Sequence, residues 1–485
     1  MSIAKQAARG VAWNMAFGVS SRLLQLVGTL VLTRFIAPDD YGPVIAASIV
    51  VATAGAVSSF AFGQYLIARR APAEVAVQAV VIHLGLGVVA LTLVYSLRGW
   101  IGDLLDTPAL GQYVLGFAIA QLIDRIRYVP ERLIMRALRF RALATINGLG
   151  ELAFTIAALA AARAWGAYAI MIGTLARAAV TSALFLHAAP RAEWLVRVRM
   201  RAGDVRDLLT YGLPIMVANV TDTATRRWDN LVVSKLFDPG VMAHYQLAYS
   251  LAELPIVNVA EHIGEVLMPS FSRMEPGERE RAVIRAAGLM GLVVSPLGVG
   301  LGAVAPTVAA AIFDDKWGPM MAPMLTILSV MTVFRPMTWS AIAYVQAVQR
   351  TRIVMWSSFL RAISVLALVA LCGYAGGPSW ACVGAGLGFT LHSVLTIIAT
   401  SRATGLSAAA YLVAVARPLL PCVPMFVAVV AIGRGLAAAG IPLFASLAAQ
   451  IVAGAAVYIA AAFVLVRGDV DELIRIGRGA IRRRR

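Results

Sequence analysis

Charge is scarce in this chain, and acidic charge scarcest of all. Only 14% of the 485 residues are charged, with 25 acidic against 42 basic, where soluble domains carry about 25% charged residues. Hydrophobic residues make up 60% of the chain and the mean hydropathy is +0.80. A soluble fold is excluded. Cysteine is nearly absent too: Cys372, Cys382 and Cys422 stand in apolar runs without ligand spacing, which excludes a disulfide framework and a metal site and leaves them as small buried hydrophobes. No nucleotide-phosphate loop is present, and no cleavable signal peptide is expected. The apolar run from Val11 to Leu32 is long enough to span a bilayer and reads as the first helix.

What is present is a succession of apolar stretches of spanning length. They predict an all-α integral membrane protein with about fourteen transmembrane helices, near 12–33, 43–66, 77–97, 109–128, 143–162, 165–187, 209–234, 241–263, 283–312, 320–346, 353–375, 379–400, 411–433 and 441–466. The net charge of +17 does not point to nucleic acid, because the arginines lie between hydrophobic runs rather than in one domain. With both termini in the cytoplasm, 30 basic residues fall on the inner side, six on the outer side and six inside spans. That five-to-one bias fixes the expected orientation. The closing Arg482–Arg485 run reads as an anchor to anionic headgroups. Arg125–Arg141 reads as a basic amphipathic helix lying along the inner surface.

The stretch Tyr211–Pro255 organises the rest. Its helix is apolar enough to enter a bilayer yet carries Asp222, Arg226, Arg227 and Asp229 in its middle. A charge at that depth costs about 2.5–3.5 kcal/mol even on lenient scales, so it belongs to a cavity, a partner or a pathway. Asn219, Asp222, Thr223, Arg226 and Asn230 recur at spacings of three and four, on one face. Asp229 stands three residues beyond Arg226, within pairing reach. On span 1, Asn14, Gly18, Ser21, Arg22, Gln25, Thr29 and Thr33 form a second polar stripe. Arg335 precedes Pro336, which should break or kink span 10, and Arg361 lies about two turns inside span 11. The cationic candidates are therefore Arg22, Arg226, Arg227, Arg335 and Arg361, with Asn14, Gln25, Asn219, Asp222, Thr223 and Asp229 as polar lining. Arg22 and Arg226 carry a competing reading as fold-stabilising pairs, Arg227 as a side chain that snorkels or packs on Trp228, Arg335 as a structural residue and Arg361 as one that reaches the inner headgroups. Arg177, amid small residues, reads as packing between helices. Asp222, Asp229 and Glu253 are candidates for ion coupling, Glu253 because Pro255 follows it and a broken helix there could frame an ion. The same residue reads equally as a carboxylate neutralised by an arginine.

A repeat divides the chain. TRFIAPDDYG from Thr33 and SKLFDPGVMAHY from Ser234 match in a basic residue, two apolar residues and a proline turn leading to a tyrosine, with Pro38 and Pro239 at an offset of 201. The expected organisation is a first lobe of spans 1–6 (1–188), a cytoplasmic linker (189–208), a second lobe of spans 7–12 (209–400), spans 13 and 14 (401–466) and a basic cytoplasmic tail (467–485).

Six segments carry a family resemblance: SSRLLQLVGTLVLTRFIAPDDYG (20–42), VPERLIMRALRFRALA (129–144), YGLPIMVANVTDTATRRWDNLVVSKLF (211–237), HYQLAYSLAELP (244–255), EVLMPSFSRM (265–274) and APTVAAAIFDDKWGPMMAPMLTIL (305–328). In this order the chain resembles the Wzx-like polysaccharide flippases of the multidrug/oligosaccharidyl-lipid/polysaccharide exporter superfamily, over spans 1 to 10. That resemblance implies two pseudo-symmetric six-helix lobes around a central cavity, with two further helices, in a bacterial inner membrane. It implies transport of an undecaprenyl-pyrophosphate-linked oligosaccharide to the periplasmic leaflet for O-antigen, capsule or exopolysaccharide synthesis, with a polymerase or ligase downstream. No cofactor is expected beyond a proton or sodium gradient. The expected partners are that lipid-linked glycan and membrane lipids, for a monomeric protein. Arginine suits the pyrophosphate, since its planar fork bonds phosphate oxygens in pairs and stays charged at depth. A drug exporter or a peptidoglycan-precursor flippase of the same superfamily is the near alternative. A membrane glycosyltransferase or polymerase is the remote one, because the short outer loops have no room for a catalytic cluster.

Overall fold

Backbone groups inside a bilayer find no water, so a spanning chain must satisfy them within itself, and helices do so segment by segment. In the computed structural model every regular element among the described residues is helical. Those residues are 24–25, 27–60, 62, 65–66, 73–137, 139–191, 194 and 201–482. The chain divides into two compact units between Ala243 and His244.

The first unit holds α1 (Pro38–Val57), α2 (Ala73–Ser96), the short α3 (Arg98–Leu104), α4 (Gly111–Arg136), α5 (Phe140–Trp165), α6 (Tyr168–Ala188), α7 (Ala202–Leu236) and the start of α8 (Pro239–Ser272). The second holds the rest of α8, then α9 (Pro276–Ile312), α10 (Gly318–Met331), α11 (Trp339–Ala347), α12 (Thr351–Gly376), α13 (Pro378–Thr404), α14 (Ala408–Ala416), α15 (Cys422–Ala438), α16 (Leu443–Leu465) and α17 (Arg467–Arg482). Ten helical segments among the described residues are long and apolar enough to cross a membrane. The long helices α4, α7 and α8 occupy three further expected spans and carry the charges that lower their hydropathy. Of the expected first span, all but its final residues lies outside the described ones. Side chains such as Val89 (67% exposed), Ile156 (67%) and Val464 (80%) face outward, as a lipid-facing surface requires.

Helix α7, the expected seventh span, packs in the first unit against α1 and α2. The Trp228 indole donates to Thr53 Oγ1 on α1 at 3.1 Å, and Gln78 Nε2 on α2 donates to Asp204 at 3.0 Å. The repeated proline turns come into contact here. Pro38 opens α1 with Asp39 and Asp40 in its first turn, which suits both the fixed φ of proline and the positive end of the helix dipole. Pro239 opens α8 with no acidic residue in its first turn, and the carboxylate comes from Asp238 just before it, which accepts from the Val241 N–H at 2.7 Å. Gly42 lies so close to Pro239 that a Cβ would sit 2.0 Å from the Pro239 carbonyl oxygen. Beside it, Thr107 and Ser234 hydroxyls share a 3.0 Å hydrogen bond, and Lys235 pairs with Asp106.

In the second unit α9 is the central helix, contacting α10, α14, α15, α16 and α17. A core cluster of Met290, Val294, Met425 and Tyr458 joins α9 to α15 and α16, and Tyr458 donates its hydroxyl to the Leu292 carbonyl at 2.8 Å.

The expected surface helix over Arg125–Arg141 does not exist as a separate element. Residues up to Arg136 continue α4 without interruption through Pro130, and Arg125 turns inward rather than toward headgroups. It is 3% exposed and donates to the carbonyls of His83 (2.8 Å), Gly55 (3.0 Å) and Ser58 (3.4 Å) and to the Ser58 hydroxyl. Gly55 and Ser58 stand at the C-terminal end of α1, where unpaired carbonyls and the negative end of the dipole attract a cation. The charge count that assigned Arg125 to an inner loop could not separate a headgroup anchor from a helix cap. Arg125→Ala should lower stability in detergent by on the order of 3 kcal/mol, because a buried cation with several charge-assisted bonds is removed. Arg125→Lys should recover less than half of that loss, since an ammonium cannot reach the same fork of acceptors. Thermal unfolding of the three proteins checks both.

Candidate functional site

Each unit contains a cation-bearing site, and the two differ in kind. In the first unit, the α7 stripe runs from half-buried Asn219, Asp222 and Thr223 to fully buried Asp229 and Asn230. Asp222 and Arg226, one turn apart, form an ion pair at 2.9 Å with both side chains about half exposed. Such a pair contributes only about 0.3–0.5 kcal/mol, so it leaves Arg226 able to exchange partners. Asp229 is 1% exposed and accepts from the backbone and side-chain nitrogens of Asn230, both at 3.0 Å. On the neighbouring helices, Arg177 of α6 pairs with Glu151 of α5 at 3.2 Å and lies 5.6 Å from the Phe154 ring centre. This agrees with its reading as a packing residue.

Arg227 breaks the balance. It is exposed, feels the charges of Arg177 and Arg226, and has no ion-pair partner among the described residues. The middle of α7 thus carries two arginines, Arg226 and Arg227, and two carboxylates, Asp222 and Asp229, with both arginines exposed and Asp229 buried. Arg227 stands about 100° around the helix from Arg226, which carries it off the stripe that sequence spacing picks out.

In the second unit, the expected break at Arg335–Pro336 is a 3-10 stretch, Thr332–Thr338, between α10 and α11. The carbonyls it frees are taken by hydroxyls: Tyr411 donates to Met337 at 2.6 Å and Ser393 to Phe334 at 3.2 Å. The break opens a cavity of about 240 Å³. Arg335 and Arg361, 26 residues apart in sequence, both line it, together with His392 and Ser357. Arg335 is bound to the Glu253 carboxylate and lies 3.4 Å from the Tyr249 hydroxyl, with its guanidinium 5.3 Å from the Phe389 ring centre. The His392 Nε2 and the Ser357 hydroxyl are 2.8 Å apart, and Ser357 is also bonded to Thr396 at 3.0 Å.

Helix α8 runs unbroken through Pro255, contrary to the expected interruption there. The backbone gap that was to frame an ion beside Glu253 is absent, since the residues following it stay helical. Gln25 is exposed on a helical turn, whereas Arg22 and Asn14 lie outside the described residues. Ser357 and Phe389 escape sequence reasoning as site residues, because only the packing of α13 on α12 and the 3-10 stretch brings them to Arg335.

Many apolar helices, repeated proline-led turns and arginine-lined sites define a multi-pass membrane protein of transporter type. Residues 31–322, more than half of the chain, match the family described as "Polysaccharide biosynthesis protein", and the chain belongs to that family. It is 23% identical over 402 residues to the lipopolysaccharide biosynthesis protein WzxC of Escherichia coli (strain K12), covering 82% of this chain and 80% of that one. It is 21% identical over 371 residues to the succinoglycan biosynthesis transport protein ExoT of Rhizobium meliloti (strain 1021), covering 76% and 74%. Among solved structures, the lipid II flippase MurJ in an inward closed conformation superposes with a TM-score of 0.77 at 13% identity, over 94% of this chain and 99% of that one. The fold is therefore that of the MurJ structure.

The Arg335–Glu253 pair is the best test of the cavity's internal balance. Removing either partner alone should destabilise by about 3 kcal/mol, while Arg335→Gln with Glu253→Gln should lose less than the sum by on the order of 1–3 kcal/mol. A double-mutant cycle from unfolding midpoints measures that coupling.

Proposed function

We propose that the protein is a flippase carrying an undecaprenyl-pyrophosphate-linked oligosaccharide from the cytoplasmic to the periplasmic leaflet of a bacterial inner membrane, with both chain termini cytoplasmic. Membership of a polysaccharide-biosynthesis family and likeness to a protein named for succinoglycan transport support the class of cargo. The observation that carries the reading is the pair of exposed arginines on α7, Arg226 and Arg227. A pyrophosphate needs accessible cations, and Arg227, beside an Arg226 that sits in a half-exposed pair with Asp222, presents one. Arg22 joins them as a candidate on sequence grounds.

Transport by alternating access needs a seal that opens. The contacts among Gly42, Pro239, Thr107, Ser234, Asp106 and Lys235 lie at the end that the charge bias places on the periplasmic side, and they suit that role. Asp222, Asp229 and Glu253 are the carboxylates through which a proton or sodium gradient would act, and a polymerase or ligase would receive the flipped product.

Proteoliposomes holding a fluorescent undecaprenyl-pyrophosphate oligosaccharide test the reading. Arg227→Gln should reduce the transport rate by about tenfold or more, the worth of one or two charge-assisted phosphate bonds. Arg226→Gln should cost less, since Asp222 then loses its partner but Arg227 remains. Equal rates in wild type and Arg227→Gln would assign the pyrophosphate elsewhere. A separate measurement addresses the seal: Lys235→Ala should raise accessibility of a cysteine placed at Thr107 to an impermeant thiol reagent added outside, in the variant Thr107→Cys.

A further inference from the structure

Helix α17 (Arg467–Arg482) takes no part in handling a cargo, yet both its apolar surface and its charge are one-sided. Val470 is buried in the core cluster with Met290 and Tyr458, and the helix contacts α9 and α16. Leu473 and Ile474, three and four residues on, share the face of Val470 but are exposed. In the sequence, Gly477 and Ile481 continue that face at the same spacings. Just before α17, the end of α16 exposes Phe463, Val464 and Leu465, so the outward apolar surface of that span leads on to Leu473 and Ile474. Glu472 pairs with Arg285 of α9 at 2.8 Å, which ties the helix to the protein on another side. Charge is sorted along the helix as well. Asp469, Asp471 and Glu472 stand in its first two turns, where the helix dipole favours acids. From Leu473 onward the chain holds six arginines, Arg475, Arg478 and Arg482 to Arg485, and no acidic residue. An apolar face beside a run of arginines matches a boundary that is hydrocarbon on one side and phosphate on the other, the headgroup layer of a leaflet containing anionic phospholipid.

We propose that α17 is an in-plane docking helix for anionic phospholipid, with Leu473 and Ile474 entering the apolar boundary and the arginine-rich second half meeting the lipid phosphates. Four closing arginines alone would hold a tail to any anionic surface, without an apolar face and without a fixed helix. Here the Glu472–Arg285 pair and the burial of Val470 attach the helix to the inner core of the second unit, so the lipid surface is brought to the base of α9. The recognition is of the membrane itself and does not depend on which cargo is carried.

Hydrogen–deuterium exchange of the full chain in lipid nanodiscs tests this, with discs of phosphatidylcholine alone or with about a third of it replaced by phosphatidylglycerol. The amides of 473–482 should exchange about tenfold more slowly or more in the anionic discs, while those of α3, at the other end of the spans, change by less than about twofold. Equal exchange of 473–482 in the two discs would overturn the proposal. Leu473→Asp with Ile474→Asp, at exposed positions, should abolish the slowing. If the slowing survives in that variant, the arginines act alone and the helix face is not a docking surface. Arg475→Gln with Arg478→Gln leaves the apolar face intact and should reduce the slowing to about threefold or less. An unchanged slowing there means that the headgroup charge is not what the helix recognises, which also overturns the proposal. Slowing that appears in detergent and grows with protein concentration would place a second copy of the chain on this face instead of a lipid surface.

Discussion

A guanidinium inside a bilayer must be satisfied by the protein around it, and most of this structure's polar design follows from how each arginine meets that demand. Arg125 is held by backbone carbonyls and a hydroxyl, so its charge is spent on closing the end of α1. Arg177 and Arg335 are each held by a carboxylate and an aromatic ring. Arg226 shares its charge with Asp222 across one turn of an exposed face. The order runs from structural to available, and it follows burial: a cation removed from water requires strong fixed partners, whereas one at a wet face keeps weak and exchangeable ones. Arg227 lies at the available end of that series.

The second dependence is on interrupted helices. A bilayer tolerates non-α backbone only where protein or a polar cavity meets the freed groups. Between α10 and α11 both conditions hold: Tyr411 and Ser393 take carbonyls on one side, and the cavity opens on the other. The proline that spoils the helix is therefore also what makes room for a site. Pro255 and Pro130 show the contrast, since α8 and α4 pass them without a break. Proline permits an interruption, and neighbouring hydroxyls decide whether one forms.

Much of this was legible from sequence because the membrane imposes it. Thirteen of the fourteen expected spans coincide with helical segments, as hydropathy and length are sufficient to locate them, and the repeated proline turns mark two helix starts that meet at Gly42 and Pro239. The kink at Arg335 was legible for the same local reason. What was not legible depends on rotation and on packing. A charge count by loop treats Arg125 as a surface cation, although a few degrees of helix phase turn it inward. Spacing puts Arg226 on the polar stripe and Arg227 off it, and both are cation candidates by depth in the span; that Asp222 pairs with Arg226 is settled by side-chain packing. The partnership of Arg335, Arg361 and His392 joins three helices and has no local sequence signal.

Transport sets a limit on how strong these sites can be. A carrier that bound its cargo with every arginine free would hold it too tightly to release, because uniform tight binding shifts no equilibrium between inward and outward states. Pairing Arg177, Arg226 and Arg335 with carboxylates lowers the field that a cargo meets and leaves more of its recognition to single hydrogen bonds from neutral polar groups. Each of those contacts is worth about 1 kcal/mol, small enough to break as the cavity changes its opening. Specificity then comes from the number of weak contacts a correct cargo satisfies together, and an arginine already bound to a carboxylate becomes a means of release as much as a structural tie.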